Sequence, residues 1–584
     1  MIARIAALAL LLLTAGCSVR ESPDLAQLYA PVAARPKAHP LIVIPGIMGS
    51  RLHRAADGAE VWPGPLAGFV AGVDFDRLAL PVPGTAEIAG APVRDVLAAG
   101  GIFYEIAGRD FYGRLLETLS GAGGYRCVTA AQVDAQTDCV LFAWDWRRGL
   151  ETAAADLDAL VEKLRVLRGD PALRVDIVAH SAGGLVTRYF VRFGGADVLD
   201  APEPAITYAG GRKVRQAVLI GTPNYGSITA LQRAITGVPA GLAVIRPETL
   251  ATMPGMFQLL PHPDRTWMID IHGRRLELDV FTSEVWRDSG WSIWDRAVRG
   301  RIRETFADPA AADAYLAAFE AHFARQLARA ARFHRALSAR VATGPTKYIV
   351  FGSACFATPA RCLLEEVDGE VHIRLRPQDI RRPVPGVPYT ALMIEPGDGS
   401  VTKASLMARD SLDADAACTD FPIAWATFVC ERHDELFVLA HYRFSIDPEA
   451  EICPLWKDVF LHHWREESQH AIIDELEWKR EDVRLNPQER DRAVDDLIEL
   501  VGAVDGILQA QSLADATYFI DAAGRAFTAD EAKRIRDTVL KAYRWKYIVS
   551  GVQEPRFQQI LGGFISDEQA ARIGAALAPI VSAQ

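Results

Sequence analysis

Residues 175–190 read VDIVAHSAGGLVTRYF. Val175, Ile177 and Val178 form a short apolar run of the kind that makes a buried strand. Leu185, Val186, Tyr189 and Phe190 then recur at helical spacing, and Gly194-Gly195 ends that helix. Ser181 sits where strand gives way to helix, the position of a nucleophile elbow. Such a turn lifts the serine hydroxyl above the sheet edge, and the helix N-terminus behind it favours a developing negative charge. The crowded turn needs small flanking residues. Gly183 meets that need, and Ala179 exceeds the usual G-x-S-x-G pattern by one methyl.

A second apolar run, Leu41 to Ile44, leads into PGIMGS at residues 45–50. A strand followed by a glycine turn near the start of such a domain is where an oxyanion loop belongs. The backbone N–H of Ile47, paired with that of Ala182, is the candidate donor set. Further short runs precede WDWRR (144–148), precede GTPNYG (221–226) and cover 348–351, with helical patterns between them. That alternation predicts an α/β fold with a parallel sheet. The pattern is interrupted at about 227–345, read as a cap insertion. Within it Tyr315, Phe319, Phe323, Leu327 and Leu337 line one helical face, while Arg325, Arg329, Arg332 and Arg335 fall largely elsewhere. This face is expected to pack inside the cap rather than against a membrane.

The chain has 584 residues, half of them hydrophobic, and a formal net charge of -11 without a basic tract, which argues against nucleic acid as a partner. Residues 1–16 carry Arg4 and then an apolar run too short to span a bilayer, which reads as a signal peptide. The stretch LTAGC resembles a bacterial lipoprotein cleavage box, with Cys17 as the lipidated new N-terminus. Acyl chains there would anchor the protein to a membrane surface of the cell envelope, facing the periplasm or in the outer membrane. Residues 17–38, rich in proline, read as a tether. No other apolar run is expected to approach a transmembrane span. In an oxidising compartment the seven remaining cysteines suggest three bridges between sequence neighbours: Cys127–Cys139, Cys355–Cys362 and Cys418–Cys430. Cys453 is left over.

The islands HPLIVIPGIMGSRL, FAWDWRRG, VAHSAGGLVTRY, LIGTPNYGS, MPGMFQLLP, GDGSV and CERHDEL occur in this order between His39 and Leu436. Together they resemble the lecithin:cholesterol acyltransferase family, which includes lysosomal phospholipase A2 and bacterial relatives. The resemblance implies an α/β-hydrolase with cap and lid insertions over residues 39–445. It also implies cleavage of lipid esters, with the acyl group passed to an alcohol or to water. Triad partners follow such a serine in the order acid, histidine. The match to GDGSV points to Asp398 as the acid, and the match to CExHDxL points to His433 as the base. This chemistry needs no cofactor. The implied partner is a lipid ester. The cholesterol-acylating member staples a lid loop with a disulfide, whereas this chain has no cysteine between Ser50 and Gly101, so the loop around Trp62 is unstapled. A reading from another class is a catalytically silent lipid-binding or envelope-scaffolding lipoprotein that keeps the fold.

Residues 446–584 read as a helical, charge-rich C-terminal domain. His463, Glu467, His470 and Asp474 fall on one helical stripe, and Glu467 with His470 forms an E-x-x-H element like that of ferritin-like di-iron proteins. No histidine follows His470, so a second such element is impossible, and no metal is assigned to these residues.

Overall fold

The computed structural model describes residues 33–64, 75–106, 109–201, 204–240, 243–339, 344–354, 356–367, 369–408, 423–428, 475, 478–479, 482–483, 485–523 and 525–581. The described residues up to Phe428 form one compact unit, and those from Glu475 onward form a second.

The first unit is built on a seven-stranded sheet of β1 (Leu41–Ile44), β2 (Cys127–Thr129), β3 (Cys139–Leu141), β4 (Val175–His180), β5 (Val214–Ile220), β6 (Lys347–Gly352) and β7 (Ile423–Phe428). Their spatial order is β7-β6-β5-β4-β1-β3-β2, and every pairing is parallel. Strands buried on both faces read as continuous apolar runs, and LIVI in β1 is such a run, buried throughout. Helix α1 (Leu150–Arg168) turns Leu150, Ala154, Leu157, Val161 and Leu164 into the core at helical spacing, and Gly169 ends it in the left-handed region. Helix α2 (Ala182–Phe193) is buried along its whole length and packs on α1.

The cap has its own apolar cluster. Helices α3 (Arg296–Glu304) and α4 (Pro309–Ser338) contribute to it, with Phe323 of α4 at the centre. The Phe323 ring meets those of Phe257, Trp286 and Trp294 edge-on, at 4.8, 5.1 and 5.0 Å between centroids. Tyr315, Phe319, Phe323 and Leu327 are buried in this cluster, as the cap-packing reading expects, whereas Leu337 is buried in the core around the central sheet. Arg329 on the other face is tied to Glu151, Asp197 and Asp200. Val82 and Cys362 join the same cluster from outside the insertion.

Cys127 and Cys139 stand opposite each other in the β2–β3 pairing and are joined by a disulfide, as predicted. The Cys355–Cys362 expectation is corrected: Cys362 carries a free thiol. It is buried on a strand, Cys362–Val367, with its Sγ 3.6 Å from the Trp267 carbonyl, and burial pushes its pKa up to about 12. Sequence proximity misled here because that strand points the side chain into the cap core. Cys17, Cys355, Cys418, Cys430 and Cys453 lie outside the described residues.

The second unit is helical where described, as expected for the C-terminal residues. It contains α5 (Pro487–Ala522), α6 (Ala529–Arg544) and α7 (Asp567–Val581). Asn486 with Glu489 and Thr528 with Glu531 form capping boxes at the starts of α5 and α6. Arg544 of α6 grips Asp505 of α5 with two bonds of 2.6 and 2.8 Å, and Leu508, Ile548, Val549, Leu577 and Ile580 form a small core. The sequence reading expected no second apolar run near transmembrane length. Residues 487–520 overturn that expectation, being long and apolar enough by length and composition to cross a membrane. Acidic residues interrupt the run along the sequence, so no unbroken apolar stretch marks it. Two of these, Asp505 and Asp515, are bound by Arg544 and Tyr543 of α6, which is how a bundle helix uses such residues. The parallel sheet, flanking helices and elbow make the first unit an α/β-hydrolase, followed by a helical region.

Candidate active site

The elbow forms where the sequence places it. Ser181 lies between β4 and α2 with φ 52° and ψ −124°, a conformation that L-residues adopt only when their surroundings enforce it. Its N–H donates to the Ile220 carbonyl at 2.8 Å. Close approach explains the small neighbours. A Cβ on Gly183 would stand 2.6 Å from the Pro45 carbonyl oxygen, and one on Gly46 would stand 2.8 Å from Ser181 Cβ. Ala179 is buried in the β4 pairings with Ile44 and Leu219, where its methyl is accommodated.

The glycine turn after β1 closes with the Gly49 N–H on the Gly46 carbonyl at 3.0 Å, and Met48 takes φ 60°. Among the described residues this leaves the Ile47 N–H without a backbone carbonyl partner, and the Ala182 N–H, first in α2, also makes no such bond. Three tryptophans hold the turn from behind. The indole N–H groups of Trp62, Trp144 and Trp146 donate to the carbonyls of Met48, Pro45 and Ser50 at 2.9, 3.0 and 3.2 Å. The unstapled Trp62 is thus a buried prop of the turn, packed edge-on against Trp146 at 5.5 Å. The MPGMFQ island supports the same corner. Gln258 accepts the Leu150 N–H at 2.7 Å and donates to Glu151 at 2.6 Å, capping the start of α1.

Asp398 lies in the first unit at the end of a short strand, Ile394–Gly397, that pairs antiparallel with Phe356–Pro359 rather than joining the central sheet. One carboxylate oxygen, Oδ1, accepts the N–H groups of Ser400 and Val401 at 2.8 and 2.7 Å. The other, Oδ2, faces the bare Cα of Gly221 at the end of β5, 3.6 Å from where a Cβ would stand. The GTPNYGS island fastens this loop. Asn224 donates to the Leu406 carbonyl, the Tyr225 N–H donates to Ser405 Oγ, and Ser227 Oγ donates to the Ser400 carbonyl, at 2.8, 3.0 and 3.2 Å. Thus the structure brings Ser181, Ile47, Ala182 and Asp398 to the strand ends that border one corner of the sheet. His433 lies outside the described residues, as do His463, Glu467, His470 and Asp474.

Two residues that sequence reasoning passed over join this corner. Tyr112, 5% exposed, accepts the Gly46 N–H at 2.8 Å. Its own proton then goes to His180 Nδ1, also at 2.8 Å, because the Gly46 N–H can only donate. Burial pushes the Tyr112 pKa up to about 12, so the hydroxyl keeps that proton. His180 is enclosed on its Nδ1 side by Tyr112 and exposed on the other. Enclosure lowers its pKa, partly offset by the Asp398 charge, so the ring is neutral with its proton assigned to Nε2. The Nε2 edge shares the space over Gly221 with Asp398 Oδ2, yet His180 makes no hydrogen bond to Asp398 or Ser181. Tyr112 gave no sequence signal, since its partners are 66 and 68 residues away. Among the described residues no group of three or more His, Cys, Asp or Glu side chains is placed to hold a metal ion.

No curated protein sequence matches the chain. Among solved structures, one titled "The crystal structure of Tle4-Tli4 complex" is similar at 18% identity, covering 63% of this chain and 89% of that chain, with a TM-score of 0.37. The family model described as Lecithin:cholesterol acyltransferase matches residues 132–285, a span that holds Trp144, Ser181, Asn224 and Gln258 and stops short of Asp398. Over those residues the chain is similar to that family, which supports an enzyme of the lipid acyltransferase or lipase type.

Proposed function

We propose that the protein is a membrane-anchored serine enzyme that takes an acyl group from a lipid ester and passes it to an alcohol or to water. The strained Ser181 elbow beside an unengaged pair of backbone N–H groups carries this reading. Ser181 Oγ attacks the ester carbonyl as His433 takes its proton. The Ile47 and Ala182 N–H groups stabilise the oxyanion. Collapse expels the alcohol, which receives the proton from His433, and leaves an acyl-enzyme. Water or a second alcohol then gives its proton to His433 and takes the acyl group, and the departing Ser181 Oγ recovers that proton from His433. Asp398 Oδ2 holds the imidazole in the required tautomer. No cofactor takes part. Cys17 carries the lipid anchor, in the cell envelope.

The test is labelling of wild type and Ser181→Ala with a fluorophosphonate probe, followed by an assay of ester release from mixed phospholipids with a long-chain alcohol present. Wild type should label and turn over. Ser181→Ala should not label and should lose on the order of 10⁶-fold in turnover. Equal labelling, or ester release surviving in Ser181→Ala, would overturn the proposal in favour of a silent lipid-binding scaffold.

A further inference from the structure

A recess of about 80 Å³ lies in the cap, away from the residues of the elbow, and three arginines enter it from separate elements. Arg94 comes from an extended loop, Arg246 from the residue before the short helix Pro247–Leu250, and Arg301 from α3. Asp76 and Glu248 are the two carboxylates of its wall. Arg301 is spent on Glu248 through two bonds of 2.7 and 2.9 Å. Asp76 accepts Thr249 Oγ1 at 2.8 Å and meets Arg246 only at 3.4 Å. Arg94 donates to the backbone carbonyl of Asp76 at 3.0 Å and hydrogen-bonds to Tyr315, both neutral partners. Among the described residues it has no carboxylate partner. A part-buried guanidinium without a counter-charge is costly unless an anion supplies one. The wall therefore holds three cations against two carboxylates, with the surplus charge at Arg94.

The recess has room for several waters or one tetrahedral oxyanion, since a single water needs ~10–15 Å³ on this measure. Its donors reach in from different walls, which suits an anion with oxygens pointing several ways better than one planar carboxylate. Guanidinium forks match phosphate oxygens in pairs. We infer that this recess binds a phosphate group, with Arg94 as the principal cation and Arg246 as the second. The group belongs either to a lipid headgroup or to free phosphate. The inference does not depend on the ester chemistry at Ser181.

The experiment uses the full chain in a Ser181→Ala background, so that no lipid is turned over. One arm titrates inorganic phosphate at low ionic strength by calorimetry. The other measures binding to phosphatidylcholine vesicles with and without phosphatidic acid. Arg94→Gln and Arg246→Gln are compared with Arg303→Gln, whose exposed partner Asp313 lies outside the recess. Thermal melts confirm folding, and Arg246, half exposed, should tolerate the change. Saturable binding that weakens about tenfold in Arg94→Gln and in Arg246→Gln, but not in Arg303→Gln, supports the site. If only phosphatidic acid vesicles show this dependence, the phosphate is a headgroup; if only inorganic phosphate does, it is a soluble anion. Failure of both probes to bind, or equal binding by Arg94→Gln, Arg246→Gln and the parent, overturns the inference. Neither outcome bears on the Ser181 reading, which probe labelling and ester release decide.

Discussion

Tyr112→Phe isolates one hydroxyl at the junction of the glycine turn and the elbow. The change keeps the ring, and with it the edge-on contact to His180 at 5.6 Å, and deletes only the oxygen. Two bonds of 2.8 Å are lost. His180 can turn to solvent on its open side, but the Gly46 N–H is buried and has no second partner among the described residues. An orphaned buried donor costs ~1–3 kcal/mol, so the urea midpoint should fall accordingly. Gly46 immediately precedes Ile47, whose N–H is the proposed oxyanion donor. If Gly46 shifts to find water, that donor moves with it, and a displacement approaching 1 Å costs up to about 10²-fold in rate. The expectation is therefore a fall in kcat of about 10- to 100-fold on a soluble short-chain p-nitrophenyl ester, with KM within about twofold, because the donor acts on the transition state. Substrate saturation curves and urea melts on the same preparations check it. A variant that loses stability but keeps full kcat would show that the hydroxyl braces the fold without positioning the donor. A variant unchanged in both would refute the reasoning outright.

Gly46→Ala should be more severe for catalysis, since its methyl would stand 2.8 Å from Ser181 Cβ and 3.3 Å from Oγ. A rate loss of at least about 10²-fold is expected, against no loss for Gly101→Ala, which has open space, and equal rates would refute the close approach. Acid should loosen the cap. Burial, with Arg265, Arg335 and Arg188 nearby, holds His262 down to about 3; burial and Arg325 hold His322 down to about 4; burial, with His262 and Arg188 opposing and Asp264 favouring charge, holds His334 well below its ordinary value. In the unfolded chain these imidazoles protonate near 6.5, so stability present above that pH is lost as pH falls toward the folded values, by at most ~1.4 kcal/mol per pH unit per imidazole. Urea midpoints that stay constant between about pH 7 and about pH 5 would count against neutral histidines in the cap. Cys17→Ser should release the protein from the membrane fraction after a salt wash, and fractionation like wild type would remove the case for a lipid anchor.

Local pattern made the elbow, the glycine turn and the parallel strands legible, because each depends on residues adjacent in sequence. The periodicity of α4 was legible for the same reason. The strand carrying Asp398 pairs outside the central sheet, a choice set by its partner Phe356–Pro359 and not by its own composition. Cys362 looked like half of a short-loop bridge, but the strand direction that buries it is tertiary information. Trp144, Trp146 and Gln258 were visible only as members of the islands that resemble the family. Their purpose, to hold the carbonyls of the turn and the start of α1, required contacts across 96 to 108 residues. The three arginines of the cap recess gave no motif at all, since Arg94, Arg246 and Arg301 meet only after folding.

The grip of three indoles on the glycine turn also makes that turn visible to light. Trp62, Trp144 and Trp146 each give their indole N–H to a carbonyl within residues 45–50. Indole emission responds to hydrogen bonding at that nitrogen and to its wetness. A turn that tightens around an oxyanion pulls on all three carbonyls together. Three of the chain's twelve tryptophans are therefore built-in reporters on the turn where the oxyanion is proposed to form, and they need no label and no modified substrate.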